Sequence, residues 1–343
     1  MRNASQLIQA LDAGSKNRLR VFRNSLRRDY DRRNFDYRVK DLLLRYVRPT
    51  WRGKLKRIMK YLWNLRSSKD GKLFSQGVKE YSKLRDNALA FAEPNHSYFG
   101  WNKYYKAALE EFKMEFAHLN LSPLTYGSDD DIRMSLPKLD THAGFLAIQT
   151  GLKEKGENLE NIFERYTKEV QEAMVNGSFG KPILPAVRTQ GNGHAFEEDG
   201  TFTHDCDHKT RMVSMIDMFV ILAELRFARP IQDYMANTNW YAGGKDWDKQ
   251  LSGVISGMRY WGKFWVSLDY SKFDQSISAW LIHDAFSIIK QAFPTLSSED
   301  ERLFEIIEND FIEKDFILAD EIVHSVKGVP SGSMFTQIID SIV

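Results

Sequence analysis

The stretch that most limits how this chain can fold is "FWVSLDYSKFDQSIS", Phe264 to Ser278. Phe264, Val266 and Leu268 alternate with Trp265, Ser267 and Asp269, which is the period-two pattern of a strand with two unlike faces. Asp274 follows after a short turn. From there Ile277, Trp280, Leu281, Ala285, Ile288, Ile289 and Phe293 recur every three or four positions, the period of a helix. A strand that turns so quickly into a helix predicts an α/β fold. Aspartate is disfavoured in strands and in helix interiors, so Asp269 and Asp274 each need a reason, either capping or chemistry.

The rest of the chain is helix-rich by pattern. Residues 1–70 read as basic helices, residues 71–120 and 157–176 as further helices, and Met212 to Phe227 as an apolar one. The segment "LSPLTYGSDDDIRMSLPKLDTHAG" reads as a loop or a string of caps, "SSED" at 297–300 as a helix cap, and "DFILADEIVHSV" as a hairpin turning near Ala319, Asp320 and Glu321. With 343 residues and 43% hydrophobic composition, two or three subdomains are expected around sizeable cores.

Charge is unevenly distributed. Residues 1–70 hold 20 Lys and Arg against 6 Asp, net +14, whereas the remainder holds 28 against 40, net −12. The basic arm interleaves Arg and Lys with Leu, Val, Phe, Ile and Trp, so apolar residues can face a core while cations face outward, a surface suited to phosphate backbones. A solvated face balancing the acidic remainder is the plainer alternative. The start carries no secretory pattern and no apolar run approaches the length of a bilayer span, so the chain is read as soluble, not secreted and without a membrane partner. A single cysteine, Cys206, excludes an intramolecular disulfide and a cysteine-rich zinc site. "HDCDH", His204 to His208, places its ligands too close in sequence to close a tetrahedral shell and reads as a loop.

Asp269 at a strand end can meet a divalent cation, and the turn through Tyr270, Ser271 and Lys272 can fold Asp274 back toward the same place. A second constellation lies downstream in "SGSMFTQIID". Ser331 and Gly332 sit in a turn, and Thr336 and Asp340 stand four residues apart on one helix face. Gly332 is expected to supply a backbone conformation closed to other residues, and the hydroxyl and carboxylate groups suit recognition of a sugar.

Taken together and in this order, "DYSKFD" and "GVPSGSMFTQIIDS" resemble motifs A and B of the palm of viral RNA-dependent RNA polymerases, in the partitivirus-like form that carries aspartate where many relatives carry asparagine. Upstream, "ILPAVRTQGNGH" and "DHKTRMVSMIDMFVILAELRFARPI" resemble the basic fingers motif. The resemblance is specific from about residue 180 to 343. It implies a right-hand polymerase represented by fingers and the first part of the palm, with thumb and the rest of the palm missing. The implied layout is a basic arm at 1–70, fingers at 71–262 with the triphosphate-contacting motif at about 186–212, and a partial palm at 263–343. Within the palm, motif A covers 269–274, motif B 328–341, and a fingers insertion about 295–327.

By position, the resemblance implies that Asp269 ligates catalytic Mg2+, or Mn2+, for two-metal phosphoryl transfer. Asp274, Ser331, Gly332, Thr336 and Asp340 would bind the nucleotide's ribose, and Arg188, Lys209 and Arg211 the triphosphate. Template and product RNA, ribonucleoside triphosphates and viral capsid protein are the implied partners, in the virion interior and host cytoplasm. An ionised Asp340 only accepts hydrogen bonds where asparagine also donates, so the donor pattern around the sugar should differ. The Gly-Asp-Asp motif that the family carries after motif B is missing before Val343, so the chain is expected to be a fragment, inactive alone. "YGSDDD", Tyr126 to Asp131, is read as a loop rather than a displaced copy of it. Two other readings stay open: a reverse-transcriptase-like polymerase, although those carry a bulky residue where Asp274 stands, and a virus-derived, non-catalytic RNA-binding protein.

Overall fold

The computed structural model describes residues 4–27, 74–76, 81–95, 98–136, 138–188, 191–193, 211–236, 270 and 272–343. The strand expected over 263–269, most of the basic arm and "HDCDH" lie outside them. The chain divides into two compact units, residues 1–23 with 88–185 and 214–343, and residues 24–87 with 186–213. In the second unit the strand β1 (Phe74–Gln76) pairs antiparallel with β3 (Gly191–Gly193).

The first unit is organised around α8 (Met218–Met235), whose Phe219, Leu222, Ala223, Leu225, Phe227, Ala228 and Ile231 are all fully buried. A helix buried on every side through its first two turns, Met218 to Leu225, must be central. It packs against α7 (Leu159–Asn176) and α11 (Ser298–Ile312). The expected helix from Met212 is corrected here: Arg211–Met215 is a strand, β4, paired with β2 (Leu184–Arg188), and the helix starts only at Met218. The divider is Asp217, whose side chain accepts from the Phe219 N–H at 3.0 Å and caps the helix.

Pro230 lies inside α8 and cannot donate to the carbonyl of Arg226. The segment read as a loop supplies the missing donor. Leu124 N–H donates to the Arg226 carbonyl at 2.7 Å, and the Arg226 Nε returns a bond to the Leu124 carbonyl at 2.9 Å. The proline is therefore accommodated without an orphaned acceptor, and the helix runs on to Met235. Just beyond, Ser128 and Asp131 form a reciprocal capping box on α5 (Asp129–Ser135), so the aspartates of "YGSDDD" start a short helix.

The remaining helices build outward. α10 (Ala279–Gln291) packs against α4 (Lys103–Ala117), α11 and α12 (Thr336–Ile342). Phe286 of α10 is the hub, with ring centroids 5.7 Å from Phe304, 5.3 Å from Phe311 and 5.0 Å from Phe335. Each such ring is worth about 1.5–3 kcal/mol of burial. The hairpin falls where expected, β5 (Lys314–Ile317) against β6 (Ile322–Ser325), in a register that pairs Lys314 with Ser325.

The arm's first helices, α1 (Ala4–Ala10) and α2 (Ala13–Leu26), enter the core rather than standing off it. Leu11 and Leu19 pack with Phe145, Ile148, Leu184 and Ile317. Arg18 does not face outward: its guanidinium donates to the Ile148 carbonyl at 2.7 Å and to that of Gln149, at the end of α6 (Leu146–Thr150). A cation placed there also answers the negative end of the helix dipole.

Candidate functional site

Asp274 is the second residue of a single-turn helix, α9 (Phe273–Ser276), entered through Lys272 in the left-handed region at φ 55°. The helical run breaks at Ile277 and Ser278 before α10 begins. Two carbonyls left open by that break are taken by the opposite segment: Val329 N–H donates to the Asp274 carbonyl at 2.6 Å, and Gly328 N–H to that of Ile277 at 2.8 Å. Residues 274–277 and the "GVPSGS" turn are thus stitched together by backbone. Gly328 is required there on two counts, a φ of +74° and the Asp274 carbonyl oxygen 2.9 Å from where a Cβ would stand.

Gly332 has a different reason from the one expected. Its φ is not in the left-handed region, but a Cβ would lie 1.9 Å from the Ser214 carbonyl oxygen, so close backbone approach is what excludes a side chain. Beside it the Ser331 Oγ accepts from the Ser214 N–H at 3.2 Å, holding the turn against β4. Glu224, buried in α8, grips the next residues: its carboxyl accepts from the Ser333 hydroxyl and the Met334 N–H, both at 2.8 Å. Burial pushes Glu224 up to about 7. The Thr336 hydroxyl lies 2.8 Å from both the Pro330 and the Ser333 carbonyl, which ties the turn to the start of α12.

Two of the expected ribose-binding side chains come together. Burial, and then the charge of nearby Asp274, push Asp340 up to about 7. The Asp340 Oδ1 is buried with no hydrogen-bond partner. This combination revises the expected donor pattern, because a carboxyl that titrates near neutrality carries a proton part of the time and can then donate as asparagine would. A buried polar atom left unpaired costs about 1–3 kcal/mol, and a sugar hydroxyl can supply the partner by accepting from the protonated carboxyl.

Arg211 is exposed at the first position of β4. Arg188 ends β2, with its side chain outside the described residues, as are Lys209 and Asp269 entirely. Among the described residues no three His, Cys, Asp or Glu side chains are grouped to hold a metal ion. The Asp274 and Asp340 pair falls short of the oxygen set that Mg2+ takes, so the described residues do not by themselves form its site. No helix among the described residues is long and apolar enough to cross a membrane.

Residues 135–343, more than half of the chain, match the family "viral RNA-dependent RNA polymerase". The chain belongs to that family. It is 34% identical over 107 residues to the RNA-directed RNA polymerase of Cryptosporidium parvum virus 1, a match covering 31% of this chain and 20% of that protein. Over 141 residues, 40% of this chain, it is 26% identical to the genome polyprotein of human hepatitis A virus genotype IIIB and 28% identical to that of simian hepatitis A virus genotype V, 6% of each. The polymerase-family chain therefore spans a fifth or less of these relatives. Its sequence contains no Gly-Asp-Asp tripeptide.

Sequence reasoning did not single out Glu224 or Lys314, which hold the turns from behind. Lys314 is buried, and its Nζ lies 2.7–3.1 Å from the carbonyls of Phe311, Ile312, Lys327 and Gly328. Burial pushes its amine down to about 7, while the four carbonyls favour the ammonium form. A signal for Glu224 was present, as a lone carboxylate inside "MFVILAELRF". Nothing comparable marks Lys314, whose neighbours in sequence are the charged Glu313 and Asp315.

Proposed function

We propose that these residues are the fingers and the first part of the palm of an RNA-directed RNA polymerase of a partitivirus-like double-stranded RNA virus. The whole protein would extend an RNA strand from ribonucleoside triphosphates on an RNA template, inside the virion and in the host cytoplasm, with capsid protein as its neighbour. Family membership supports the reaction class. The observation that carries the site is the unpartnered Oδ1 of Asp340, on α12 beside Asp274, next to a turn fixed by Glu224, Ser214 and the backbone of Asp274. A buried carboxyl oxygen open to a partner is suited to a sugar hydroxyl.

In this reading Asp274, Ser331 and Asp340 meet the sugar, Gly332 lets the turn approach β4, and Thr336 holds the turn to α12. Arg188, Lys209 and Arg211 receive the triphosphate, and Asp269 contributes to holding Mg2+. The bound metal would polarise the phosphoryl group and lower the pKa of the attacking hydroxyl.

The test is made on the full-length polymerase, by the ratio of catalytic efficiencies for a ribonucleotide and its deoxy analogue. Asp269→Asn should lower turnover by orders of magnitude for both and leave the ratio alone. Asp274→Ala should shrink the ratio, since a site built to bond a hydroxyl can discriminate by on the order of 10⁴. An altered ratio in Asp269→Asn with an unchanged one in Asp274→Ala overturns the assignment, and RNA binding without any incorporation would favour a non-catalytic binder.

A further inference from the structure

At the start of α4 the chain exposes four aromatic side chains within a short run, Tyr98 at 58%, Phe99 at 57%, Trp101 at 71% and Tyr104 at 73%. Soluble proteins seldom leave aromatic groups clustered in water without a use. The cluster is also held in place. Asn102 caps α4 by accepting from the Tyr104 N–H at 2.8 Å, and its own N–H closes the turn onto the Phe99 carbonyl at 2.8 Å. The Trp101 indole N–H donates to the Tyr98 carbonyl at 3.1 Å, which fixes the plane of the most extended ring. Tyr98 and Tyr105 both stand edge-on to Trp280 of α10, with centroids 5.1 and 5.3 Å away. Tyr105 is anchored further by donating its hydroxyl to Asp284 at 2.7 Å.

The surrounding charge is cationic. Lys103 Nζ lies 5.0 Å from the Tyr104 ring centre, Lys106 is exposed one turn on, and no Asp or Glu occurs between Glu93 and Glu110. Asp284 is the acid beneath, and it is occupied by Tyr105. Rigid exposed rings beside lysines are the composition that binds single-stranded nucleic acid, with bases stacking on the rings and phosphates meeting the amines.

We propose that Tyr98, Phe99, Trp101 and Tyr104, with Lys103 and Lys106, form a stacking platform for single-stranded RNA. The choice of RNA over a protein partner rests on the polymerase reading, and the lysines agree with it. The platform should bind without sequence preference, because every base offers a π face.

The experiment uses the chain as it stands, titrated with a single-stranded homopolymeric RNA and, separately, with inorganic polyphosphate. Tryptophan emission and filter retention report binding. Trp101→Ala and Tyr104→Ala each remove an exposed ring and should leave folding intact, checked by the cooperative unfolding transition. Each should weaken RNA roughly 5- to 150-fold, the effect of one lost stack, and leave polyphosphate affinity unchanged. Trp101→Phe should recover most of the loss. Equal weakening for RNA and polyphosphate, or unchanged RNA affinity in both alanine variants, overturns the platform. So does a change in self-association without a change in RNA binding, which would make the surface a protein contact. Should the unaltered chain bind no RNA at all, or bind it insensitively to these variants, the platform fails alone, because the polymerase reading is decided by incorporation in the full-length enzyme.

Discussion

Asp340 illustrates how much one residue's chemistry depends on what surrounds it. Read from the sequence alone, an ionised Asp340 is an acceptor only, with no donor to offer. In the structure, burial and the charge of Asp274 push it up to about 7, and its Oδ1 has no partner. The protonated form restores the donor and relieves repulsion from Asp274, so the sugar contact should weaken as the carboxyl ionises. In the full-length enzyme, the preference for a ribonucleotide over its deoxy analogue should fall several-fold between about pH 6 and pH 8, the value of roughly one hydrogen bond. Asp340→Asn keeps a donor at every pH and should flatten that dependence. A wild-type preference independent of pH across this range would remove the role assigned to the proton.

At the scale of elements, the site is two turns held from behind. Glu224 of α8 receives the Ser333 hydroxyl and the Met334 N–H. Glu224→Gln can keep both contacts, because the amide accepts from Met334 and donates to the Ser333 oxygen; Glu224→Ala leaves the buried Met334 N–H unpaired beside a cavity. The expected outcome in urea denaturation is a change under about 1 kcal/mol for Gln and a loss of about 2–4 kcal/mol for Ala. Equal losses would mean that neither the volume nor the two contacts that the amide keeps is what stabilises the turn, and that the carboxyl itself is required. These devices also mark the limit of what the sequence disclosed. Periodic patterns placed α7, α10 and the β5–β6 hairpin, because half-buried elements impose their repeat on the residues, and the cap at 297–300 placed the start of α11. The same logic failed at Met212, since a short strand running into a buried helix is apolar on all sides and shows no repeat until Asp217 divides it. Asp274 and Asp340 stood out in the sequence by their motifs. Their coupling did not, nor did Lys314, because carbonyls brought together from 311–312 and 327–328 leave no mark on residue type.

Across the whole molecule, buried ionisable groups set how stability responds to pH. Burial pushes Glu224 and Asp310 up to about 7, Asp310 while it accepts from the Ser178 hydroxyl and the Phe179 N–H, and Asp340 stands there too. A carboxyl raised on folding contributes stability that is fully present below its unfolded pKa, near 4, and lost as pH rises through about 7. His142 works in the opposite sense: burial pushes it down to about 4, so its contribution is present above its unfolded value near 6.5 and lost as pH falls through 4. Asp217 and Glu308 are raised by burial in the same sense as Glu224, Asp310 and Asp340, while Glu169, held down against its burial by Lys181 and Arg165, acts with His142. Among the described residues the raised groups outnumber the lowered ones, and stability should therefore decline between about pH 4.5 and 7, by on the order of 2–3 kcal/mol for each of the fully buried Glu224 and Asp310 and less for the partly exposed Asp340. Above pH 7 the direction turns. The depressed amine of Lys314 adds stability as pH rises from about 7 toward its unfolded value, to the extent that its four carbonyls leave it depressed. Urea midpoints measured on this chain from pH 4.5 to 9 should trace a minimum just above neutrality. The Glu224→Gln, Asp310→Asn double variant should flatten the acid side of that curve while leaving the alkaline side in place. A wild-type midpoint that climbs steadily from pH 4.5 to 7 would show that these carboxyls reach water in the folded state and that the interior is not closed around them.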